Sequence, residues 1–291
     1  MIFIFQFTRI PGTLIGSAIG DAMGAPFEGS PKIHQIPKRM TGGGPFLTRR
    51  GEYTDDTLQM IALAETLITC HQFSAIDFLS RLIRIYDLHP EFFGPTSREV
   101  LERVKGGASP ESAVSGISGS GRTNGAVMRG APIGIFYRPG NARIISGYAA
   151  ATTHPHPVAG ATSGIVNQMI SILCRGGSKE EAFFSALKFC ENIEVRNRIA
   201  LLSAAPLIPS LDALEAAHVA ITCFMEEETF AGMIQAAISH GGDTDTTAAI
   251  CGALGGALHG AGGIPREWIA DLEGGPALLE LEEAVWSAGE K

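Results

Sequence analysis

Thr54-Asp55-Asp56-Thr57-Leu58-Gln59-Met60-Ile61-Ala62-Leu63-Ala64-Glu65-Thr66-Leu67-Ile68-Thr69-Cys70 is the stretch from which the fold is read. A hydroxyl residue suited to an N-cap and two acids stand immediately before an apolar run. Leu58, Ile61, Ala62 and Glu65 fall at the spacing of one helical face and its opposite edge, so the stretch predicts a helix from Thr54 through about Cys70. Working outward, helical spacing recurs at Ser74 to Tyr86, Ser97 to Val104, Pro157 to Cys174, Ser178 to Cys190 and Leu211 to Met225. It continues at Thr229 to Ile238, Thr244 to Leu258 and Pro276 to Ser287, while strict period-two alternation is nearly absent. An all-α fold follows. Gly12, Gly16, Gly20 and Gly24 recur every four residues, which places them near one side of a helix as a small-residue seam that another backbone can approach closely.

The chain has 291 residues, 45% hydrophobic and 18% charged, with a net charge of −8. That length buries a large core without disulfides or a structural metal, and no linker-like segment divides it, so a single domain over residues 1–291 is expected. Net acidity argues against a nucleic-acid partner, because phosphate binding needs clustered Lys and Arg. The cysteines (Cys70, Cys174, Cys190, Cys223 and Cys251) are odd in number, far apart and without a CxxC pair, which fits buried thiols in a reducing cytosol. Met1 to Phe7 is apolar but lacks a basic flank and is shorter than a span requires, so neither an export signal nor a membrane anchor is expected, and the location expected is cytoplasmic.

Between the helical stretches lie segments that packing does not explain. Thr54-Asp55-Asp56 and Asp243-Thr244-Asp245-Thr246 each put two acids and hydroxyls within one turn, just before an apolar run. Capping and the helix dipole account for one acid in each and leave the second without a role. If the two helix starts meet, four carboxylates converge, and like charges at that density persist only with a cation or with raised pKa values. Oxygen donors without His or Cys favour Mg²⁺, Mn²⁺ or Ca²⁺ over zinc, and this many acids can hold two metals. Asp21 and Glu28 add acids near a Gly-rich helix end. Ser118 to Gly125 is rich in Gly and small polar residues whose N–H groups could line a phosphate site, with Arg129 nearby as a charge partner. His154 and His156 lie between prolines in a loop.

Taken together, these segments resemble the ADP-ribosylglycohydrolase family. The matches run from GDxxGxxxE ending at Glu28, through TDDT (Thr54 to Thr57), TNGAxMR (Thr123 to Arg129) and THPxP at His154, to GGDTDTT (Gly241 to Thr247), covering about residues 10–266 in order. The resemblance implies one compact all-α domain with a pair of Mg²⁺ or Mn²⁺ ions at the base of a cleft. Thr54, Asp55, Asp56, Asp243, Asp245 and Thr246 match the family's metal ligands. It further implies that Gly119, Ser120 and Gly121 lie along the diphosphate, Asn124, Gly125 and Met128 beside it, and His154 or His156 near the distal ribose. Glu28 matches a glutamate close to the metals and receives the acid/base role.

The activity so implied is metal-dependent hydrolysis of the glycosidic bond between ADP-ribose and a modified side chain or small acyl group. The substrate is an ADP-ribosylated protein or a small ADP-ribose-containing molecule. Phe92 stands where arginine-specific bacterial members carry a loop Asp, which inclines the reading toward O-linked substrates unless Glu91 or Glu52 takes that role. The rivals are a two-metal phosphoester hydrolase and a non-catalytic ADP-ribose-binding protein.

Overall fold

The computed structural model describes residues 12–289, so the reading of Met1 to Phe7 lies outside the described residues. The chain runs through α1 (Thr13–Gly24), α2 (Asp55–Cys70), α3 (Ala75–Leu88), α4 (Pro95–Lys105), α5 (Pro110–Ser115), α6 (Gly125–Met128), α7 (Ala131–Phe136) and α8 (Pro139–Ala151). It continues through α9 (Pro157–Cys174), α10 (Lys179–Phe189), α11 (Ile193–Ala200), α12 (Ala213–Glu226), α13 (Phe230–Ser239), α14 (Thr244–His259), α15 (Arg266–Asp271) and α16 (Gly275–Gly289). Among the described residues β structure is confined to isolated bridges, so the fold is all-α.

Local chemistry sets many of the helix starts. Ser74 accepts from Asp77 N–H, Ser178 forms a capping box with Glu181, Asp212 accepts from Leu214 and Glu215 N–H, and Thr229 accepts from Gly232 N–H. The α1 start has only Gly12 at its N-cap. Its free N–H groups are met instead from α16, where buried Glu282 accepts from Thr13 N at 2.6 Å and Leu14 N at 3.2 Å.

The α1 and α14 helices pack along the glycine seam. A Cβ at Gly20 would run into the carbonyl of Ala248, and one at Gly16 into the carbonyl of Gly252. The backbones therefore touch, and α1 brings Asp21 and Glu28 to the start of α14. Around this pair, α9 is the central buried helix, contacting α8, α10, α12 and α14, while α2 packs against α3, α7 and α16. By length and composition α9 could cross a membrane, yet most of it is buried inside the fold.

The α8 helix escapes the hydrophobic-periodicity reading for a physical reason. Its buried face is Ala142, Ser146, Ala149 and Ala150, small residues that allow close approach to α9, and it begins at Pro139-Gly140, a pair that commonly marks a turn. The short helices α5, α6, α7, α11 and α15 were likewise not anticipated, being only four to eight residues long.

The seam yields a direct test. Gly20→Ala should destabilise the protein by about 1–3 kcal/mol, because a methyl group there must push two backbones apart. Gly147→Ala in α8, where a Cβ meets nothing within 4 Å, should be neutral or stabilise by up to about 1 kcal/mol. Denaturant melts of the two variants check this, and equal effects would contradict the seam.

Candidate functional site

The site begins with Asp21, which lies fully buried near the end of α1. Its carboxylate accepts from Thr54 N (3.0 Å), Thr54 Oγ1 (2.9 Å), Thr57 N (3.0 Å) and Thr57 Oγ1 (2.6 Å). One acid thus docks the start of α2 onto α1. Because the Thr54 hydroxyl gives its proton to Asp21, its lone pairs stay available as donors to a cation. Asp55 and Asp56 follow in the first turn, where the helix dipole favours negative charge.

A second pair of acids arrives with α14. Gly241 and Gly242 both take positive φ (73° and 68°), and Gly242 exchanges backbone hydrogen bonds with Gly29 and Ser30, drawing Glu28 to Asp243 and Asp245. Thr244 N–H donates to Glu28 Oε2 at 3.0 Å. Carboxylate oxygens of Glu28, Asp243 and Asp245 lie within 4.8 Å of one another. From the far side, Asn124 Nδ2 donates to Asp243 Oδ2 at 2.6 Å. Asn124 is itself held by Leu211 O, beside the Arg122–Asp212 ion pair of 2.6 Å.

Glu28, Asp55, Asp56, Asp243, Asp245 and Thr246 all line one cavity. Its other walls are Asn124, Gly125, Met128 and His154, with Phe46, Glu91, Phe92, Phe93 and Leu211 toward the rim, and among the described residues no Lys or Arg lines it. Five converging carboxylates without a lining cation must hold protons or bind a cation. In the ion-free protein their proton affinities are raised. Burial and then Asp21 push Asp55 up to about 8, while burial and then Asp243 push Glu28 up to about 7. Burial, joined by neighbouring carboxylates, holds Asp56 and Asp245 well above the ordinary range. Asp56 Oδ1 is buried with no hydrogen-bond partner, an oxygen whose unmet demand a cation would satisfy.

The remaining residues singled out from sequence are placed as follows. Thr54 is buried behind the cavity wall, with its hydroxyl on Asp21. Gly119 and Ser120 are exposed and Gly121, at φ 66°, packs on Pro155, so the structure does not bring these three to the cavity wall. His156 caps α9 by accepting from Val158 N–H, leaving His154 as the histidine on the cavity. Gly125 makes room for it, since a Cβ there would lie 2.8 Å from the His154 ring. Arg129 is 1% exposed and does not line the cavity, its guanidinium lying behind the wall on Gln59 and Thr153, so the structure does not place it for the phosphate contact expected of it. Three contributors were missed or undervalued: Asp21 as the dock of α2, Gln59, which donates to Asp55 Oδ2 at 2.6 Å, and Phe46 at the rim. Gln59, four residues after Asp55 on the same helix face, was legible from spacing alone.

Comparison with known proteins gives a consistent picture. The profile of the family described as ADP-ribosylglycohydrolase matches residues 5–291. The ADP-ribosylarginine hydrolase Tri1 of Serratia proteamaculans is 31% identical over 306 residues, spanning 96% of this chain and 79% of that protein. The ADP-ribosyl-[dinitrogen reductase] glycohydrolase of Rhodospirillum rubrum is 27% identical, over 91% of this chain and 90% of that one. A solved structure described as an ADP-ribosylglycohydrolase-related protein complex superposes with a TM-score of 0.82 at 28% identity, covering 96% of each chain.

The acid cluster makes stability depend on pH. An acid whose proton affinity is raised on folding keeps its proton after the unfolded chain has released it. The native state therefore binds more protons than the unfolded state from about pH 4 to about pH 8, and stability falls as pH rises through that window. Buried Glu282, pushed up to about 8 by burial, acts in the same direction. Chelator-treated protein should melt several degrees lower at about pH 8 than at about pH 5.5. A melting temperature that is flat or rises over that interval would contradict the burial of unneutralised carboxylates.

Proposed function

The chain belongs to the ADP-ribosylglycohydrolase family, hydrolases of ADP-ribose glycosidic linkages, and from that premise we propose that it releases ADP-ribose from arginine side chains with the help of two divalent cations. The observation that carries this reading is the convergence of Glu28, Asp55, Asp56, Asp243 and Asp245 on one cavity that no Lys or Arg lines among the described residues. The donor set is all oxygen, which suits Mg²⁺ or Mn²⁺, and Thr54, Asp55, Asp56, Asp243, Asp245 and Thr246 would hold the pair. When bound, the ions supply Lewis acidity to the ribose hydroxyls and to water.

The protein's own groups supply the rest. Glu28 is half-buried, with its affinity for a proton brought near neutrality, the range in which a carboxyl both gives and takes protons. Thr244 N–H donates to its Oε2 and orients the carboxyl in the cavity, where it can exchange a proton with the leaving group or with water. Met128 gives the wall beside the acids apolar surface, which limits water there.

Linkage turns on the rim. Phe92 occupies the place where an acid was sought, but Glu91 lines the same cavity, and His89 stacks on Phe92 with Nδ1 3.8 Å from Glu91. Phe46 meets Phe92 edge to face at 5.6 Å. An acid beside two aromatic rings suits a guanidinium better than a neutral serine hydroxyl, and this supports arginine-linked ADP-ribose over the O-linked reading. The name of the Serratia relative agrees with that choice.

The test is turnover of arginine-linked and serine-linked ADP-ribosyl peptides with Mg²⁺ or Mn²⁺, products identified by mass spectrometry. Free ADP-ribose and a higher kcat/KM for the arginine linkage are expected. AMP or inorganic phosphate would indicate a phosphoester hydrolase, and tight ADP-ribose binding without turnover a binding protein. Asp245→Asn should cut turnover at least about a hundredfold, equivalent to a few kcal/mol of transition-state stabilisation. Glu91→Gln should lower kcat/KM about tenfold on arginine-linked peptides, by loss of one charge-assisted hydrogen bond, and leave serine-linked peptides unaffected.

A further inference from the structure

Arg129 is the largest fully buried side chain among the described residues, and it does not line the cavity. Its Nη1 donates to Gln59 Oε1 at 2.8 Å and its Nη2 to Thr153 Oγ1 at 2.6 Å, with the guanidinium 5.0 Å from the centre of the Phe78 ring. Gln59 Nε2 in turn donates to Asp55 Oδ2 at 2.6 Å, and Thr153 Oγ1 lies 2.7 Å from His154 Nδ1. A continuous buried chain thus joins Asp55 in the acid cluster to His154 on the ligand-facing wall.

A guanidinium has five donors and no acceptor, so Gln59 and Thr153 must both accept from Arg129. Gln59 must turn its carbonyl to Arg129 and therefore its NH₂ to Asp55, which makes Asp55 Oδ2 an acceptor. Thr153 must accept from Arg129, and among the described residues His154 Nδ1 is the one acceptor within hydrogen-bond distance of its own proton, at 2.7 Å, so the hydroxyl donates there. A ring that accepts at Nδ1 and is neutral carries its hydrogen on Nε2. Among the described residues Nε2 has no hydrogen-bond partner, and the Nε2 edge lies against Gly125 on the cavity. We infer that Arg129 is a positioning residue that, through Gln59 and Thr153, holds Asp55 as an acceptor toward the acid cluster and His154 as the Nε2–H tautomer, a neutral donor aimed at an anionic or hydroxyl oxygen of the ligand. Burial and then the Arg129 charge hold His154 well below its ordinary pKa, in keeping with a neutral ring.

The ligand half of this inference rests on the reading that the cavity takes ADP-ribose, but the tautomer does not, and the two are measured separately. Long-range ¹H–¹⁵N spectra of ligand-free protein labelled at histidine should show His154 as a single Nε2–H tautomer. Thr153→Val removes the donor to Nδ1, so His154 should lose that single tautomer. The affinity for ADP-ribose should fall about tenfold, the equivalent of about 1.4 kcal/mol for one oriented hydrogen bond. Thr153→Ser should restore both. Arg129→Lys, whose single nitrogen cannot span Gln59 and Thr153, should disturb both the tautomer and the affinity for Mn²⁺. A wild-type His154 protonated at Nδ1 would overturn the assigned direction of the chain, and so would a Thr153→Val spectrum unchanged from wild type. If Thr153→Val changed the tautomer but bound ADP-ribose like wild type, the positioning role would be overturned. Wild-type protein that bound no ADP-ribose would overturn the functional reading and the ligand half together, whatever the tautomer.

Discussion

Everything in this molecule that concerns chemistry depends on how closely two helices approach. The glycines of α1 and the small residues of α14 let two backbones meet where side chains would normally intervene. That contact fixes the end of α1 against the start of α14. Glu28, Asp243 and Asp245, more than two hundred residues apart in the chain at the extremes, consequently share one cavity, with Asp21 buried on the start of α2. With ordinary apolar residues at the seam the helices would stand farther apart, and the acids would not converge.

Convergence has an electrostatic cost that the fold meets by placement. Asp21 is answered by four donors from the start of α2, Asp243 by Asn124, and Asp55 by Gln59. Asp56 keeps an oxygen without a partner, and Glu28, Asp243 and Asp245 face one another. Some of the acids are thus anchored structurally, while others are left under-satisfied toward the cavity. A protein selected only for stability would not retain unpaired buried carboxylates, since each costs free energy unless neutralised. The under-satisfied oxygens are where binding and chemistry belong.

The sequence revealed the fold class and the acid cluster because both have local signatures. Thr54-Asp55-Asp56 and Asp243-Thr244-Asp245 stand at helix starts with more acid than capping needs, and Ser74 and Ser178 mark helix N-termini by their capping chemistry. The glycine period in α1 announced a close contact but not its partner. What stayed hidden was tertiary. Arg129 looked like a phosphate ligand because charge is usually exposed, whereas its burial between Gln59 and Thr153 depends on α2 and the 152–156 loop meeting. The Gly-rich run at 118–121 looked like a phosphate cradle, yet Ser118 is tied outward to Glu99. The α8 helix was missed because its buried face is Ala and Ser, too weakly apolar to register as a period.

The five acids are proposed to form a site for divalent cations. Anomalous diffraction from crystals grown with Mn²⁺ tests it most directly, because the signal locates the metal without reference to turnover or linkage. The account predicts two Mn²⁺ peaks between the starts of α2 and α14, within bonding distance of Asp55, Asp56, Asp243 and Asp245 oxygens. Crystals saturated with Mn²⁺ that show no peak there, or whose peaks lie only at surface carboxylates, would contradict it.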